Sequence, residues 1–255
     1  MSIVSAAARS GFTLEHHVSV GSTNDLAMDH LRKGGASRHF VIAASQTGGR
    51  GRFGRQWVSK PGNLYASLAL VDPAPQASAF QLGFVAALSI HETLLALGLD
   101  NDRVSLKWPN DVLVDGKKIS GILVEGTSLA EGHIGVVIGC GINVAHHPSE
   151  TLYPVTNLAE ACISTSVDEL FAAFAYAFDK TLALYKCGMG FAVIREAWLS
   201  ASHGLGGPIA VRDRKEERQG VFKGLDPEGR LLLDQSGTIV AVIAGDVFYQ
   251  SEGNA

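Results

Sequence analysis

Short apolar runs bounded by turn residues recur along most of the chain and predict strands. These runs lie near residues 39–45, 63–71, 103–107, 111–115, 118–126 and 133–140. Helical periodicity and capping signals predict four helices, at Asn24–Arg32 behind Ser22 or Thr23, at Gln76–Leu97, from the capping box Ser166–Glu169 to about Tyr185, and at Phe191–Leu199. This mixture of elements predicts an α+β fold, with a mixed β-sheet and flanking helices.

The pattern changes after the glycine-rich segment 204–208. Beyond it, short alternating runs separated by turn pairs such as Asp226-Pro227 and Ser236-Gly237 occupy about fifty residues, which is typical of a small β-barrel. The sequence therefore predicts two parts, a larger domain at residues 1–204 and a small β domain at residues 205–255.

Composition limits the classes of function. The chain has 255 residues, 46% of them hydrophobic and 18% charged, and a net charge of −4, which gives no broad basic surface for nucleic acid. Its three cysteines contain no C-x-x-C pair, so each is expected to be a small buried residue in a reducing cytoplasm. The apolar span Pro73–His91 is interpreted as a buried core helix, so no membrane partner is expected.

One loop departs from this ordinary composition. Residues 49–57 read Gly-Arg-Gly-Arg-Phe-Gly-Arg-Gln-Trp and lie between two predicted strands. Glycines let the backbone approach a ligand closely, while guanidinium groups match carboxylate or phosphate oxygens. The pattern indicates an anion-binding loop rather than an ordinary solvated turn.

The same loop contains a G-x-G-x-x-G pattern, but a dinucleotide-binding turn is rejected. That motif needs a helix after its third glycine, whereas Arg55–Pro61 leads into a turn and a strand. Protein-kinase, P-loop and hydrolase-elbow motifs are missing from the sequence. The pairs His16-His17 and His146-His147 lack the spaced partners of a metal site.

A second block, Lys107–Glu125, predicts a hairpin around the turn Asp115-Gly116. Because strand side chains alternate, only one of Lys117 and Lys118 can face the same pocket as Gly121. The spacing Lys118-Ile119-Ser120-Gly121 is interpreted as placing Lys118 on the ligand face and Lys117 in solvent.

Together the two blocks resemble the biotin protein ligases, which activate biotin with ATP and attach it to a carboxylase lysine. The resemblance rests on G-R-G-R-x-G-R-x-W, on K-W-P-N-D followed by K-x-x-G-I-L, and on three weaker matches in family order, Ser22-Thr23-Asn24, Gln46 and Gly139–Asn143. It covers most of the chain. It also implies that the C-terminal part is an SH3-like β-barrel.

The resemblance implies a set of site residues. Lys118 and Arg52 would be catalytic, meeting the biotin carboxylate and the acyl-phosphate oxygens. Biotin would be bound by Ser22, Thr23, Asn24, Gln46, Arg50, Gly51, Arg52, Lys118 and Gly121, of which the first four would hold its ureido head. ATP would be bound by Arg55, Trp57, Asn110 and Asn143, with Trp57 covering the adenine.

The resemblance further implies ATP and biotin as substrates, Mg²⁺ as a cofactor and a biotin carboxyl carrier domain as the acceptor. Asp111 is a weak candidate for a metal ligand, because a turn-stabilising role is equally compatible with its position after Pro109. Core packing is the better interpretation for Trp108. A monomer or a weak homodimer is expected.

Two alternatives remain open at this stage. A lipoate or octanoate ligase or transferase would share the fold, and an RNA-binding module could use the arginine and glycine residues of the loop. Some biotin ligases carry an N-terminal DNA-binding domain; the segment before Ser22 is too short for one, so no repressor function is expected.

Overall fold

A mixed sheet in the order β1-β2-β3-β7-β6-β5-β4 organises the larger part of the protein. The structure is a computed structural model that describes residues 3–149, 151, 153–213 and 216–249. The strands of this sheet are β1 (Thr13–His17), β2 (His39–Ala43), β3 (Leu64–Val71), β4 (Val104–Lys107), β5 (Asp111–Val114), β6 (Lys117–Ser128) and β7 (Ile134–Ile142). Strands β1 and β2 are parallel, and the other neighbouring pairs are antiparallel.

Helices cover both faces of this sheet. They are α1 (Ile3–Arg9), α2 (Thr23–Arg32), α3 (Leu82–Ala96), α4 (Val167–Tyr185) and α5 (Phe191–Ser200). Alternation along β2 shows the two layers, since Phe40 and Ile42 join the main core whereas Val41 packs with α2 residues such as Met28 and Leu31. The predicted α+β fold is confirmed.

Local signals located most of these helices correctly. The Ser166 hydroxyl accepts from the Glu169 amide at 3.2 Å, and the Glu169 carboxylate accepts from the Ser166 amide at 2.9 Å, which completes the predicted capping box. Such a cap contributes about 1 kcal/mol. The predicted helix at 76–97 is instead a 3₁₀ helix at Gln76–Gln81 followed by α3.

Helix α3 is apolar on all sides because it is a core helix. The span Gln76–Ala96 is long and apolar enough to cross a membrane by length and composition, yet 72% of its most apolar window is buried inside the protein. This burial agrees with the predicted core role. Residues Phe84 and Trp198 pack edge to face, with ring centroids 5.4 Å apart, and so join α3 to α5.

Two elements and two cysteines correct the sequence interpretation. Helix α1 and strand β1 were not predicted, and β1 is an edge strand of mostly polar, exposed residues, so it carries no alternating apolar signal. Cys140 is buried as expected, but Cys162 and Cys187 are exposed, so a buried role for all three cysteines is wrong.

An antiparallel sheet in the order β11-β10-β9-β8-β12 forms the C-terminal part, in agreement with the predicted small β module. Its strands are β8 (Pro208–Arg212), β9 (Glu217–Leu225), β10 (Leu231–Gln235), β11 (Thr238–Val242) and β12 (Asp246–Tyr249). It packs on the larger part, since the Trp108 indole donates to the Gly229 carbonyl at 3.2 Å. Trp108 is buried, as the core interpretation predicted. The division after residue 204 stays a prediction.

Candidate functional site

A cavity of about 260 Å³ lies against β6 and β7, under the arginine-rich loop and beside the first turn of α2. Its wall includes every predicted site residue except one, namely Ser22, Thr23, Asn24, Gln46, Arg50, Gly51, Arg52, Arg55, Trp57, Asn110, Asp111, Lys118 and Gly121. The two sequence blocks therefore meet in space. The chemical roles assigned to these residues remain predictions.

Three glycines form the floor of this cavity. A Cβ atom added at Gly141 would lie 2.5 Å from the Trp57 ring, and one added at Gly121 would lie 2.9 Å from the same ring. A Cβ atom at Gly139 would collide with the Asn24 side chain. The floor lacks side chains because Trp57 and Asn24 lie directly on the backbone of β6 and β7.

The hairpin presents Lys118 to the cavity and leaves Lys117 exposed. Strict alternation back from Gly121 would have placed Lys117 on that face. The pairing of β5 with β6 shifts register instead, since Val112 lies opposite Ser120 but Leu113 lies opposite Lys118. The extra residue, Ile119, is buried in the core. The predicted placement of Lys118 is confirmed, but a β-bulge rather than alternation produces it.

Lys118 is a buried ammonium group with a close counter-ion. Its Nζ lies 2.7 Å from the Asp111 carboxylate and 3.4 Å from the Tyr153 hydroxyl. Burial by itself lowers the pKa of Lys118, but Asp111 and Tyr153 outweigh burial and raise the pKa above its usual value. Asp111 and Tyr153 therefore favour the charged form of Lys118 in the cavity wall.

A second buried lysine lies nearby, outside the cavity wall. Burial lowers the pKa of Lys107, which lies opposite Asp111 on the neighbouring strand. Its ammonium group lies 5.1, 5.8 and 5.4 Å from the ring centroids of Tyr153, Phe248 and Tyr249. Cation–π attraction from these three rings partly compensates the loss of hydration.

Each arginine of the loop has hydrogen-bonding or ionic partners in this structure. Arg50 donates to Asp25 at 2.7 Å and to Glu125 at 3.0 Å. Arg50 therefore lies beside Ser22, to whose hydroxyl it also donates.

The other two arginines contact the C-terminal sheet. Arg52 donates to the Asn110 side chain and to the Gly245 carbonyl, both at 3.2 Å, and burial lowers its pKa. Arg55 forms an ion pair with Asp246, the first residue of β12. The C-terminal part thus completes the cavity wall.

The part of the cavity wall around Gln46 and Thr23 is a hydrogen-bonded network. The Gln46 amide oxygen accepts from the Thr23 backbone at 2.8 Å and from the Thr23 hydroxyl at 3.1 Å, and its nitrogen donates to Ser59 at 2.9 Å. Ser22 precedes α2 but makes no capping bond; its hydroxyl accepts from Arg50 at 3.4 Å. Small groups with both hydrogen-bonding senses suit a ligand that has donors and acceptors.

Asn143 is the one predicted site residue that does not line the cavity. It is 4% exposed, and its amide donates to the Thr156 carbonyl at 3.0 Å, so it holds the segment after β7 against the sheet. It does not line the cavity, and we correct its predicted nucleotide contact to a structural role.

Several contributors were missed by sequence reasoning. Glu125, Tyr153 and Asp246 contact Arg50, Lys118 and Arg55 respectively. Each lies on a different segment far from its partner in the chain, and no local spacing connects the pairs. Only the acidic character of Asp246 beside a turn glycine, Gly245, could have hinted at a ligand-facing role.

Trp57 packs flat on the cavity floor in this structure. Its ring lies 5.5 Å from the Lys118 ammonium, and its Nε1 is buried without a hydrogen-bond partner among the described residues.

No group of three or more His, Cys, Asp or Glu side chains in the described ranges is arranged to hold a metal ion.

Comparisons with known proteins agree along the chain. Residues 18–143 match the Biotin/lipoate A/B protein ligase family, and residues 204–249 match the Biotin protein ligase C terminal domain. The Biotin--[acetyl-CoA-carboxylase] ligase of Paracoccus denitrificans is 37% identical over 89% of this chain and 97% of its own length. The Bifunctional ligase/repressor BirA of Escherichia coli is 34% identical over 91% of this chain and 72% of its own length.

Solved structures agree with the sequence relatives. A biotin protein ligase from Aquifex aeolicus, in complex with biotin and ATP, superposes with a TM-score of 0.77 at 28% identity, covering 93% of this chain and 98% of that chain. Both family models and the superposed structure therefore point to one set of relatives. This chain belongs to the biotin protein ligase family.

Proposed function

We propose that this protein is an ATP-dependent biotin protein ligase. In the first step the biotin carboxylate attacks the α-phosphorus of ATP, forming biotinyl-5′-AMP and releasing pyrophosphate. In the second step a lysine amine of a biotin carboxyl carrier domain attacks the acyl carbon, forming an amide and releasing AMP. The observation that carries this proposal is one cavity with a network of small polar side chains around Gln46 at one end and two cations, the buried Lys118 and the half-buried Arg52, at the other.

The polarity of the cavity suggests how biotin lies in it. The ureido head has two N–H donors and a carbonyl acceptor, which match Ser22, Thr23, Asn24 and Gln46. The valeryl chain would lie along the glycine floor, in the place that the Trp57 ring takes against Gly121 and Gly141 in this structure. The carboxylate would then reach Lys118.

Lys118 and Arg52 would act on charge. Two anions, the biotin carboxylate and the α-phosphate, must approach each other, and fixed cations in a partly dry site offset that repulsion. Lys118 is held in place by Asp111, while Arg52 is held by Asn110 and the Gly245 carbonyl. Because their orientation is set before the substrates bind, little reorganisation accompanies the reaction.

The nucleotide is assigned to the side of the cavity lined by Arg55, Trp57 and Asn110. Arg55 would exchange its bond to Asp246 for phosphate oxygens, and the Trp57 ring would leave the glycine floor to cover the adenine. Asn143 is omitted from this set because its amide is committed to the backbone.

We propose that Mg²⁺ enters with ATP. Among the described residues that line the cavity, the carboxylates are Asp111 and Asp246, and Mg²⁺ is usually held by one or two carboxylates together with substrate phosphates. These two residues would hold it, and the ion would neutralise phosphate charge. Each carboxylate already has a cationic partner, Lys118 or Arg55, so the same groups balance the charge before ATP binds.

The proposed acceptor is a biotin carrier domain of a carboxylase, because the relative from Paracoccus denitrificans is named for that acceptor. The proposed reaction belongs to the cytoplasm, where ATP and such carboxylases occur, and the unpaired cysteines are compatible with a reducing compartment. A monomer or a weak homodimer is proposed, with no nucleic-acid partner.

A direct assay tests the function. The protein is mixed with biotin, ATP, Mg²⁺ and a biotin carboxyl carrier domain, and attached biotin is detected by blotting. We expect a signal that requires ATP and the acceptor lysine, and no comparable transfer of lipoate or octanoate. Transfer of lipoate in place of biotin would instead support the alternative ligase. Nuclease treatment should leave the activity unchanged.

Removal of the C-terminal part is a second test. A protein ending before Gly207 loses Gly245 and Asp246, which hold Arg52 and Arg55, and it also loses the carbonyl partner of Trp108. We expect the truncated protein to fold and bind biotin, because the main sheet lies upstream, but to lose adenylate formation. Full activity would show the sheet to be dispensable, and an unfolded product would show that the boundary is misplaced.

A further inference from the structure

Asn24 lies in the cavity wall, and its side-chain nitrogen and oxygen each form a hydrogen bond within the protein. Its Nδ2 donates to Glu125 Oε2 at 2.7 Å, and its Oδ1 accepts from the Ser67 hydroxyl at 2.6 Å. The residue is 5% exposed. An ionised carboxylate can only accept, so Glu125 requires the nitrogen of Asn24 to point toward β6 and its oxygen toward Ser67.

The side-chain oxygen of Asn24 can accept one more hydrogen bond. The Ser67 hydroxyl lies 2.7 Å from Thr23 Oγ1 and 2.6 Å from Asn24 Oδ1, but it carries a single proton. An amide oxygen has two lone pairs, so Asn24 Oδ1 can accept a hydrogen bond from another donor even when it accepts from Ser67. Because a Cβ atom at Gly139 would collide with Asn24 Oδ1, that oxygen lies directly on the cavity floor.

The same carboxylate holds the arginine-rich loop. Arg50 Nη2 lies 3.2 Å from Glu125 Oε1 and 3.0 Å from Glu125 Oε2, while Asp25 accepts from Arg50 on the other side at 2.7 Å. Glu125 therefore joins a floor residue on α2 to the loop that covers the cavity.

We propose that Glu125 is a positioning residue that sets the hydrogen-bonding sense of Asn24 toward the ureido N–H groups of biotin and couples that recognition to closure of the arginine-rich loop. The inference rests on the proposed function. Glu125 is not assigned a contact with biotin. It acts by keeping the Asn24 oxygen turned inward and Arg50 drawn over the cavity.

The first test separates the two contacts of Glu125. Glu125→Gln removes the demand for a donor from Asn24 and weakens the bond to Arg50, so we expect the KM for biotin to rise by about tenfold or more, with kcat within about threefold. Asp25→Asn is the matched control, since the Asp25 carboxylate accepts a hydrogen bond from Arg50 on the side away from Glu125. It should raise the KM for biotin by less than about threefold.

The outcomes of this test are distinct. Biotin affinity measured by calorimetry without ATP should fall in parallel with the KM of Glu125→Gln. Equal effects of the two variants would show that Glu125 acts through Arg50 alone and would overturn the proposal. Lower thermal stability with an unchanged KM would also overturn it. If the wild-type protein does not biotinylate the carrier domain, the proposed function fails instead.

A reciprocal pair gives the sharpest test. Asn24→Asp alone places a second carboxylate against Glu125, and we expect biotin binding to weaken by about tenfold or more. Adding Glu125→Gln reverses the hydrogen bond, because the new amide at position 125 donates to the carboxylate at position 24. The second carboxylate oxygen at position 24 can then still accept from biotin. The double variant should recover at least about fivefold of the lost affinity. A double variant that binds biotin no better than Asn24→Asp would contradict the assigned orientation.

Discussion

Lys118→Gln is expected to lower the rate of adenylate formation by at least about tenfold, which is a loss of about 1.4 kcal/mol of transition-state stabilisation. Lys118 is the buried ammonium at the carboxylate end of the cavity, and its charge would act on both the biotin carboxylate and the forming acyl phosphate. Both kcat and biotin affinity should therefore fall. Biotin-dependent exchange of pyrophosphate into ATP measures this step.

Lys117→Gln is the matched control for this prediction. Lys117 is the preceding residue on the same strand, but it is exposed and does not line the cavity. We expect nearly unchanged exchange. Because Lys118→Gln leaves Asp111 without its counter-ion, thermal unfolding of both variants should be compared, and Lys118→Arg should recover part of the rate. The assigned role of Lys118 would be refuted if Lys117→Gln lost pyrophosphate exchange, or if both variants kept it.

Arg52→Gly is expected to change the selectivity for the acceptor protein more than the rate of adenylate formation. Arg52 is a largely buried guanidinium that is fixed to Asn110 and Gly245, and it would hold the phosphate of the adenylate in the closed cavity. Without it the loop should open and release biotinyl-AMP, which acylates exposed lysines in solution. We expect strong biotinylation of a bystander protein together with reduced selectivity for the carrier domain.

The measurement compares attached biotin on the carrier domain and on serum albumin in the same reaction. Arg103→Gly is a suitable control, because Arg103 pairs with Asp115 at the hairpin turn, away from the cavity. It should keep the selectivity of the wild-type protein. If Arg52→Gly has unchanged acceptor selectivity, Arg52 does not retain the adenylate.

Local features of the sequence predicted much of this structure for clear physical reasons. The turn Asp115-Gly116 has positive φ at both positions, 50° and 72°, as a tight hairpin turn requires, and the sequence pair Asp-Gly signals this directly. The capping box opens α4, and the mostly apolar α3 is largely buried. These signals depend on residues near each other in the chain, so their physical causes are visible in the sequence.

Features of the site that depend on distant pairing escaped sequence reasoning. Asn143 ends a motif that lies mostly within β7, yet its amide donates to the Thr156 backbone carbonyl. Strand β1 was missed because it is a polar edge strand whose partner, β2, lies beyond a helix. Glu125 and Asp246 became part of the site only through their contacts with the arginine-rich loop.

By itself, the sequence determined the family, the α+β class and the residues that meet in the cavity, because the motif blocks carry their chemistry and their turns locally. The tertiary structure alone decided how those residues are oriented. A bulge at Ile119, not alternation, turns Lys118 inward, and β12 supplies the partner of Arg55. Such side-chain orientations depend on strand register and on packing between segments that are distant in the chain. Long-range contacts stabilise them, and local periodicity in the sequence does not encode those contacts.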